Sequence, residues 1–147
     1  MPVRFTLTDA PGPGASDAGA QEAAAVALYA YNVEQTGIAD RRPIGAFALD
    51  AATGAVLGGM WGRTELGLLF LEMFFLPAAL RGQGAGAALL ALVEDEARRR
   101  GCRNAVVETS TFQAPGFYTR HGYAECGRVP FGVGGHARVF LRKALAD

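Results

Sequence analysis

Residues 80–90 read LRGQGAGAALL: an arginine, glycines at 82, 84 and 86, then a run of strong helix formers. Glycine is a poor residue for starting a helix, because it loses more backbone freedom on ordering than any other. Three on alternate positions suit either a flexible turn or a place where something approaches the backbone too closely for a side chain. A helix N-terminus is such a place. Its first amide N–H groups lack intrahelical partners and the dipole adds partial positive charge, so an anion rests there if no β-carbon intervenes. Arg81 adds a cation at the entrance.

Upstream, LLFLEMFFL (68–76) is an almost unbroken apolar run, the pattern of a central strand covered on both sides, and Pro77 ends it. Downstream, a helix over 85–100 places Leu89, Leu92, Val93, Glu96 and Ala97 on one broad side. Its acids (Glu94, Asp95, Glu96) precede its bases (Arg98, Arg99, Arg100), which suits the dipole and reads as solvated surface. NAVVETS (104–110) is a further strand and QAPGFYTRHG (113–122) a short helix with Pro115 near its first turn. YAECGRV (123–129) and ARVFLRK (137–143) form an antiparallel pair.

Toward the N-terminus, VRFTLTD (3–9) alternates like a first strand, and 10–19 is a loop with Ser16 and Asp17 as candidate caps. A helix over 20–35 carries Ala24, Leu28 and Tyr31 on its apolar side and stops at Gly37. PIGAFALD (43–50) and AVLGGMWGRTE (55–65) flank the turn AATG as a hairpin. The whole reads as one mixed α+β sheet domain over residues 1–147.

Bulk composition narrows the function. The 147 residues are half hydrophobic, enough for one core, and zero formal net charge argues against a nucleic-acid face or an anionic membrane surface. Cys102 and Cys126 fit free thiols in a reducing cytoplasm, and with His121 and His136 they give no metal-ligand spacing. The N-terminal MPVRFTLTD lacks an apolar signal core, and the Ala-rich stretch 18–33 is interrupted by Gln21, Glu22 and Asn32. The expectation is a cytoplasmic protein without a metal.

Two phosphate-binding patterns compete for the glycines. GQGAGA (82–87) satisfies the dinucleotide motif G-x-G-x-x-A, with Glu108 placed to mimic a ribose-binding acid. Against it, LPAALR separates strand from glycines, and the 60 residues of 88–147 are too few for the repeated strand–helix units of such a domain. The second pattern is more specific. LPAALRGQGAG resembles the acyl-CoA signature of the GNAT N-acetyltransferase superfamily, Arg/Gln-x-x-Gly-x-Gly/Ala, with Arg81, Gly84 and Gly86 at its fixed positions. ETSTFQAPGFYTRHGY (108–123) resembles that family's later segment, where a short helix carries a tyrosine before a Gly-aromatic strand. LYAYNVEQTG, GGMWGRTELG, LEMFFL and GHARVFLRKAL are similar to a bacterial, small-acceptor branch, so the resemblance runs from residue 28 to 145.

That resemblance implies a mixed, mostly antiparallel sheet of about six or seven strands flanked by helices, with parallel strands 68–76 and 104–110 splayed around coenzyme A. It implies acetyl-CoA as co-substrate, its pantetheine bonded by the main chain of Phe74, Phe75 and Leu76. The diphosphate would lie on Gly82, Gln83, Gly84, Ala85, Gly86 and Ala87 beside Arg81, with Phe117 also on the coenzyme side. Where relatives often have asparagine seven residues before the tyrosine, this chain has Thr111, with Gln113 as a substitute donor.

The implied chemistry is attack of an amine on a thioester, which needs an oxyanion donor and a proton for the leaving thiolate. An amide N–H near Phe74 or Phe75 suits the first need. Tyr118 holds the family's general-acid position; its plain alternative is amphipathic packing. Glu72 is the candidate base, the single charge in its apolar run. Alternation puts it beside Leu68, Phe70, Phe74 and Leu76, and its alternative is a structural carboxylate paired with an arginine. Glu108 reads as a salt-bridge or sheet-edge acid. Asn32, Trp61 and His136 are candidates for the acceptor wall. No histidine stands near either cysteine in sequence, which argues against an acyl-cysteine route. The expected acceptor is a small-molecule amine. A peptide or protein amine, or a non-catalytic acyl-CoA sensor, are the alternatives, and a homodimer fits the relatives.

Overall fold

A computed structural model describes residues 1–9 and 19–146. The chain divides into two compact units, Met1–Ala39 and Asp40–Asp147. The first contains helix α1 (Ala20–Thr36), flanked by Gly19 and Gly37, both in the left-handed region. The Gly37 N–H closes the helix on the Val33 carbonyl at 2.7 Å. Its least exposed residues are Tyr29, Asn32 and Val33, whereas Leu28 and Tyr31 are exposed, so the helix presents a different stripe from the expected one. Residues 3–9 form no strand and are exposed along their length. Alternation specifies a face but supplies no neighbour for the backbone groups, and no described strand pairs with this segment. The caps expected at Ser16 and Asp17 lie outside the described residues.

The second unit is a six-stranded sheet of order β1-β2-β3-β4-β6-β5. Its strands are β1 (Arg42–Leu49), β2 (Val56–Glu65), β3 (Leu68–Phe75), β4 (Asn104–Ser110), β5 (Ala124–Pro130) and β6 (Ala137–Ala144). Helix α2 (Ala85–Arg99) follows β3, and α3 (Pro115–Arg120) follows β4. Every neighbouring pair is antiparallel except β3 and β4, which run parallel. This is the mixed, mostly antiparallel sheet expected, and a single parallel pair disposes of the dinucleotide reading.

The core lies on one face of the sheet. Met60, Leu69, Leu71, Ala105, Val107, Val139 and Leu141 point into it and meet Leu89, Leu90, Val93 and Ala97 of α2, with Tyr118 of α3 in the same cluster. The side of α2 that faces inward thus holds Leu90 and Glu94 in place of the expected Leu92 and Glu96; Leu92 is exposed. Arg100 reaches from the end of α2 to the Pro43 carbonyl and Thr64 Oγ1, both at 3.0 Å, which fixes the helix across β1 and β2.

The charge run of α2 is not all solvated surface. Glu94 is buried; Tyr123 donates its hydroxyl to Oε2 at 2.7 Å and Lys143, the one lysine of the chain, donates to Oε1 at 2.8 Å. Burial and the facing carboxylate push the Tyr123 phenol far above its ordinary range. The three groups tie α2, the chain after α3, and β6 together. Removing one member of a buried charged set leaves its partner uncompensated. Glu94→Ala is therefore expected to cost about 3 kcal/mol in urea denaturation. The exposed Glu125→Ala, which breaks only a surface pair with Arg128, should cost under about 1 kcal/mol.

Candidate active site

The parallel pairing of β3 with β4 is short. Leu68, Leu69, Phe70 and Leu71 pair with Asn104, Ala105, Val106 and Val107, and the ladder ends there although both strands continue. Beyond Leu71 and Val107 the two strands separate, leaving main-chain groups on facing edges. At the same point β3 carries a bulge: Gly62 of β2 opposes Leu71 and Trp61 opposes Met73, so Glu72 is the extra residue. Bulges re-aim side chains and bend the strand that carries them. Here Leu71 and Phe74 both face the core while Glu72 and Met73 are exposed, so the alternation that groups Glu72 with Phe74 and Leu76 fails at this residue.

Glu72 is ion-paired to Arg63 of β2, whose guanidinium lies 4.0 Å over the Phe70 ring. Across the split, Glu108 of β4 receives a 2.9 Å bond from Arg138 Nε of β6. The arginine also bonds the buried Ser110 hydroxyl at 2.9 Å. Both glutamates are thus paired with an arginine, as sequence reads for Glu108 and as it offered for Glu72 beside the role of base.

After β3, Pro77 begins a single 3-10 turn, Ala78–Leu80, and Arg81 reaches back with Nε to the Leu76 carbonyl at 2.9 Å. Gln83 likewise bonds the Ala79 carbonyl at 2.9 Å. Gly82 (φ 75°) and Gly84 (φ 80°) adopt the left-handed backbone that L-residues avoid, and a β-carbon on either would meet nothing. Gly84 is the N-cap of α2 and no side chain caps the helix, so the first amides, of Ala85, Gly86 and Ala87, are left without an intrahelical or side-chain partner. Gly86 has a different duty: a β-carbon there would lie 3.1 Å from the Phe117 ring and 3.2 Å from that of Phe74.

Those two rings pack at 5.2 Å and lead to Tyr118, whose ring is edge-on to Phe74, Phe117 and Tyr123. Tyr118 is buried, and desolvation pushes its phenol up to about 12. Its hydroxyl has no hydrogen-bond partner among the described residues. Pro115 starts α3, and the Tyr123 N–H holds the Tyr118 carbonyl at 3.0 Å.

Thr111 and Gln113 are engaged in the chain's own structure. The Gln113 side-chain oxygen accepts from Ser110 N–H (2.9 Å) and Thr109 Oγ1 (3.1 Å). Thr111 Oγ1 accepts from Ala137 N–H at 3.1 Å and meets His136 Nδ1 at 3.3 Å. Trp61 is exposed, stacked on Phe47 at 6.3 Å. Asn32 belongs to α1, where its carbonyl accepts from Thr36 Oγ1. A cavity of about 330 Å³ lined by Arg42, Glu65, Glu96 and Arg99 sits at the far end of α2, away from the glycines. Residues that sequence reasoning missed are Arg63 and Arg138, whose roles depend on cross-strand register that composition does not carry.

A forked parallel pair, a left-handed glycine turn and a helix N-terminus without a side-chain cap thus follow one another along the chain. Comparison with known proteins shows the family. Residues 16–123 match the model of the acetyltransferase (GNAT) family. The chain belongs to the GNAT family of acetyltransferases. It is 34% identical over 141 residues to acetyltransferase Atu2258 of Agrobacterium fabrum, covering 96% of this chain and 98% of the relative. Over 101 residues it is 36% identical to the blasticidin-S acetyltransferase of Streptomyces morookaense, covering 67% and 74% of the two chains. A crystal structure of an Agrobacterium tumefaciens protein described as an acetyltransferase superposes with a TM-score of 0.86 at 32% identity, covering 97% and 99%. No described helix is long and apolar enough to cross a membrane.

Within this GNAT site, Gly86→Ala should drive a methyl against both phenylalanine rings. The expected loss is about 1–3 kcal/mol of stability, read as a shifted urea midpoint with an unchanged slope. Gly116→Ala in α3, where the nearest neighbour is the flexible end of Arg120, should be nearly neutral.

Proposed function

We propose that this acetyltransferase moves an acetyl group from acetyl-CoA to a primary amine of a small molecule, by direct attack in a ternary complex, the whole chain acting as one cytoplasmic acetyltransferase domain. The observation that carries the reading is the fork beyond Leu71 and Val107, where Phe74 packs edge-on to Tyr118 and against Gly86 in the first turn of α2. The similarity to an acetyltransferase of blasticidin-S favours a small acceptor over a protein amine.

The residues present suit the coenzyme. Free amides and open space at Gly82 and Gly84 accept diphosphate oxygens, and the terminal nitrogens of Arg81 add positive charge beside them. Phe74 and Phe75 pair with Met60 and Gly59 of β2, and the main-chain groups of Phe74, Phe75 and Leu76 that face away from β2 take the pantetheine amides as an added strand would. The Leu76 carbonyl is already held by Arg81, which leaves its N–H and the outward-facing groups of Phe74 and Phe75 for that task. Bound acetyl-CoA supplies the thioester carbonyl at the fork. An N–H of Phe74 or Phe75 steadies the oxygen as it gains charge, a contribution typically of about 3–4 kcal/mol.

Tyr118 gives its proton to the departing sulfur. A phenol raised to about 12 is a weak acid beside a thiol near 8.5, but a thiolate expelled among Phe74, Phe117 and Tyr118 is desolvated as well, so both pKa values rise together. Glu72, steadied by Arg63 on the exposed face, receives the proton of the attacking amine directly or through water.

Tyr118→Phe is expected to lower kcat by about 10²–10⁴-fold in a thiol-release assay with an amine panel, with the calorimetric Kd for CoA unchanged. Intact turnover across the panel would remove Tyr118 from the mechanism. The sign of the phenol's shift fixes the pH profile. The donor is the protonated form and its pKa is raised, so kcat should hold its plateau to about pH 10 and fall only as pH climbs through the raised value. Gly84→Val, which places a branched side chain among the free amides and strains a φ of 80°, should weaken CoA binding at least about tenfold.

A further inference from the structure

The fork has a symmetry of which the reaction above uses one half, Glu72. Leu71 and Val107 form the last paired rung, so Glu72 and Glu108 are the next residue on each strand, one on either side of the split. Each is held by an arginine from the outer neighbour, Arg63 on β2 and Arg138 on β6, strands that lie on the far sides of β3 and β4 from the split. Each pair uses one carboxylate oxygen; the other has no partner among the described residues. The two pairs are therefore dipoles with their negative ends at the split and positive ends away from it.

Beside Glu72, the exposed face of β1–β3 is apolar. Phe47 stacks on Trp61, Trp61 is opposite Met73, and Gly59 lies in register between Phe47 and Phe75, with the Phe47 ring against it. All four side chains are exposed. Such an apolar shelf ending at two carboxylates is complementary to one kind of molecule. We infer that Glu72 and Glu108 jointly receive the acceptor's ammonium group, and that this group is carried on a flat apolar ring seated on Phe47 and Trp61. This rests on the acetyl-transfer reading and specifies its substrate class as an arylalkylamine type. Facing negative ends also reject an amine that bears a carboxylate on the adjoining carbon, since like charge at the split is repelled.

Steady-state kinetics with tryptamine, ethylamine and tryptophan test this. Tryptamine should exceed both others in kcat/KM by at least about tenfold. Glu108→Gln should raise KM for tryptamine about tenfold, with the smaller change in kcat, and narrow the gap to tryptophan, while the Kd for CoA stays fixed. Trp61→Ala should narrow the gap between tryptamine and ethylamine. Should Glu108→Gln fail to fold, Arg138→Gln carries the test with the opposite sign, because it removes the cation that balances Glu108 and should widen the gap to tryptophan. Amine acetylation that prefers tryptophan or ethylamine, or is indifferent to these substitutions, overturns the inference and leaves acetyl transfer standing. Absence of turnover with every amine in a wider panel, with CoA still bound, overturns the acetyl-transfer reading and this inference with it.

Discussion

Main-chain hydrogen bonding is the constraint on which this molecule turns. Buried N–H and C=O groups must be paired, yet β3 and β4 stop pairing after four rungs and run on apart. The separation is sustained by features on both strands. On β3, the bulge at Glu72 bends the strand just past the last rung, and it depends on Gly62, since any side chain there would run into the Phe70 carbonyl. Arg81 then holds the Leu76 carbonyl, so the strand's end is fixed without help from β4. On the other side, the Gln113 side chain occupies the Ser110 N–H and Arg138 the Ser110 hydroxyl, finishing β4 without β3. Each strand is closed off by contacts that do not involve the other, and on the proposed function the gap between them takes a ligand.

How much of this is written in the sequence depends on the range of the interaction. The six strands of the second unit and α2 and α3 follow from alternation, apolar runs and turn residues, all local signals. The segment 3–9 has the same alternation yet forms no strand, because pairing is a property of two segments. Glu72 shows the limit inside a strand. Period-two counting holds through Leu71 and is broken by one extra residue, and nothing in LLFLEMFFL marks where the extra residue enters. In α2, a rotation of the inward stripe by about 60° exchanges Leu92 for Leu90 and Glu96 for Glu94. The second exchange matters, since it turns an apparent surface acid into the centre of a buried Tyr123–Glu94–Lys143 set. Its partners are 29 and 49 residues away, beyond any local pattern.

The three glycines that mark the site are also three physical cases. Gly82 and Gly84 are there for a backbone angle, and the open space around them is what an anion would occupy. Gly86 sits in the first turn of α2 at an ordinary angle and is there because Phe74 and Phe117 press on it. One motif therefore links the phosphate end of the slot to the aromatic wall around Tyr118. On the proposed function, a substitution at Gly86 would reach Tyr118 through packing, and one at Gly84 would reach the anion through main chain.

Charge is distributed across the fork with the same economy. On the core side stand the α2 N-terminus, Arg81 and the neutral phenol of Tyr118, a set of donors and partial positive charge suited to an anionic donor substrate and a thiolate leaving group. On the exposed side stand Glu72 and Glu108, acceptors suited to a cation. Among the described residues Glu94 is the one buried carboxylate, and Lys143 and Tyr123 satisfy it, which would keep its negative charge from opposing the helix dipole's pull on a diphosphate in the proposed function. On the proposed function the two substrates would be drawn to opposite faces by opposite charge and would meet in the gap between β3 and β4, at a depth set by the four-rung ladder.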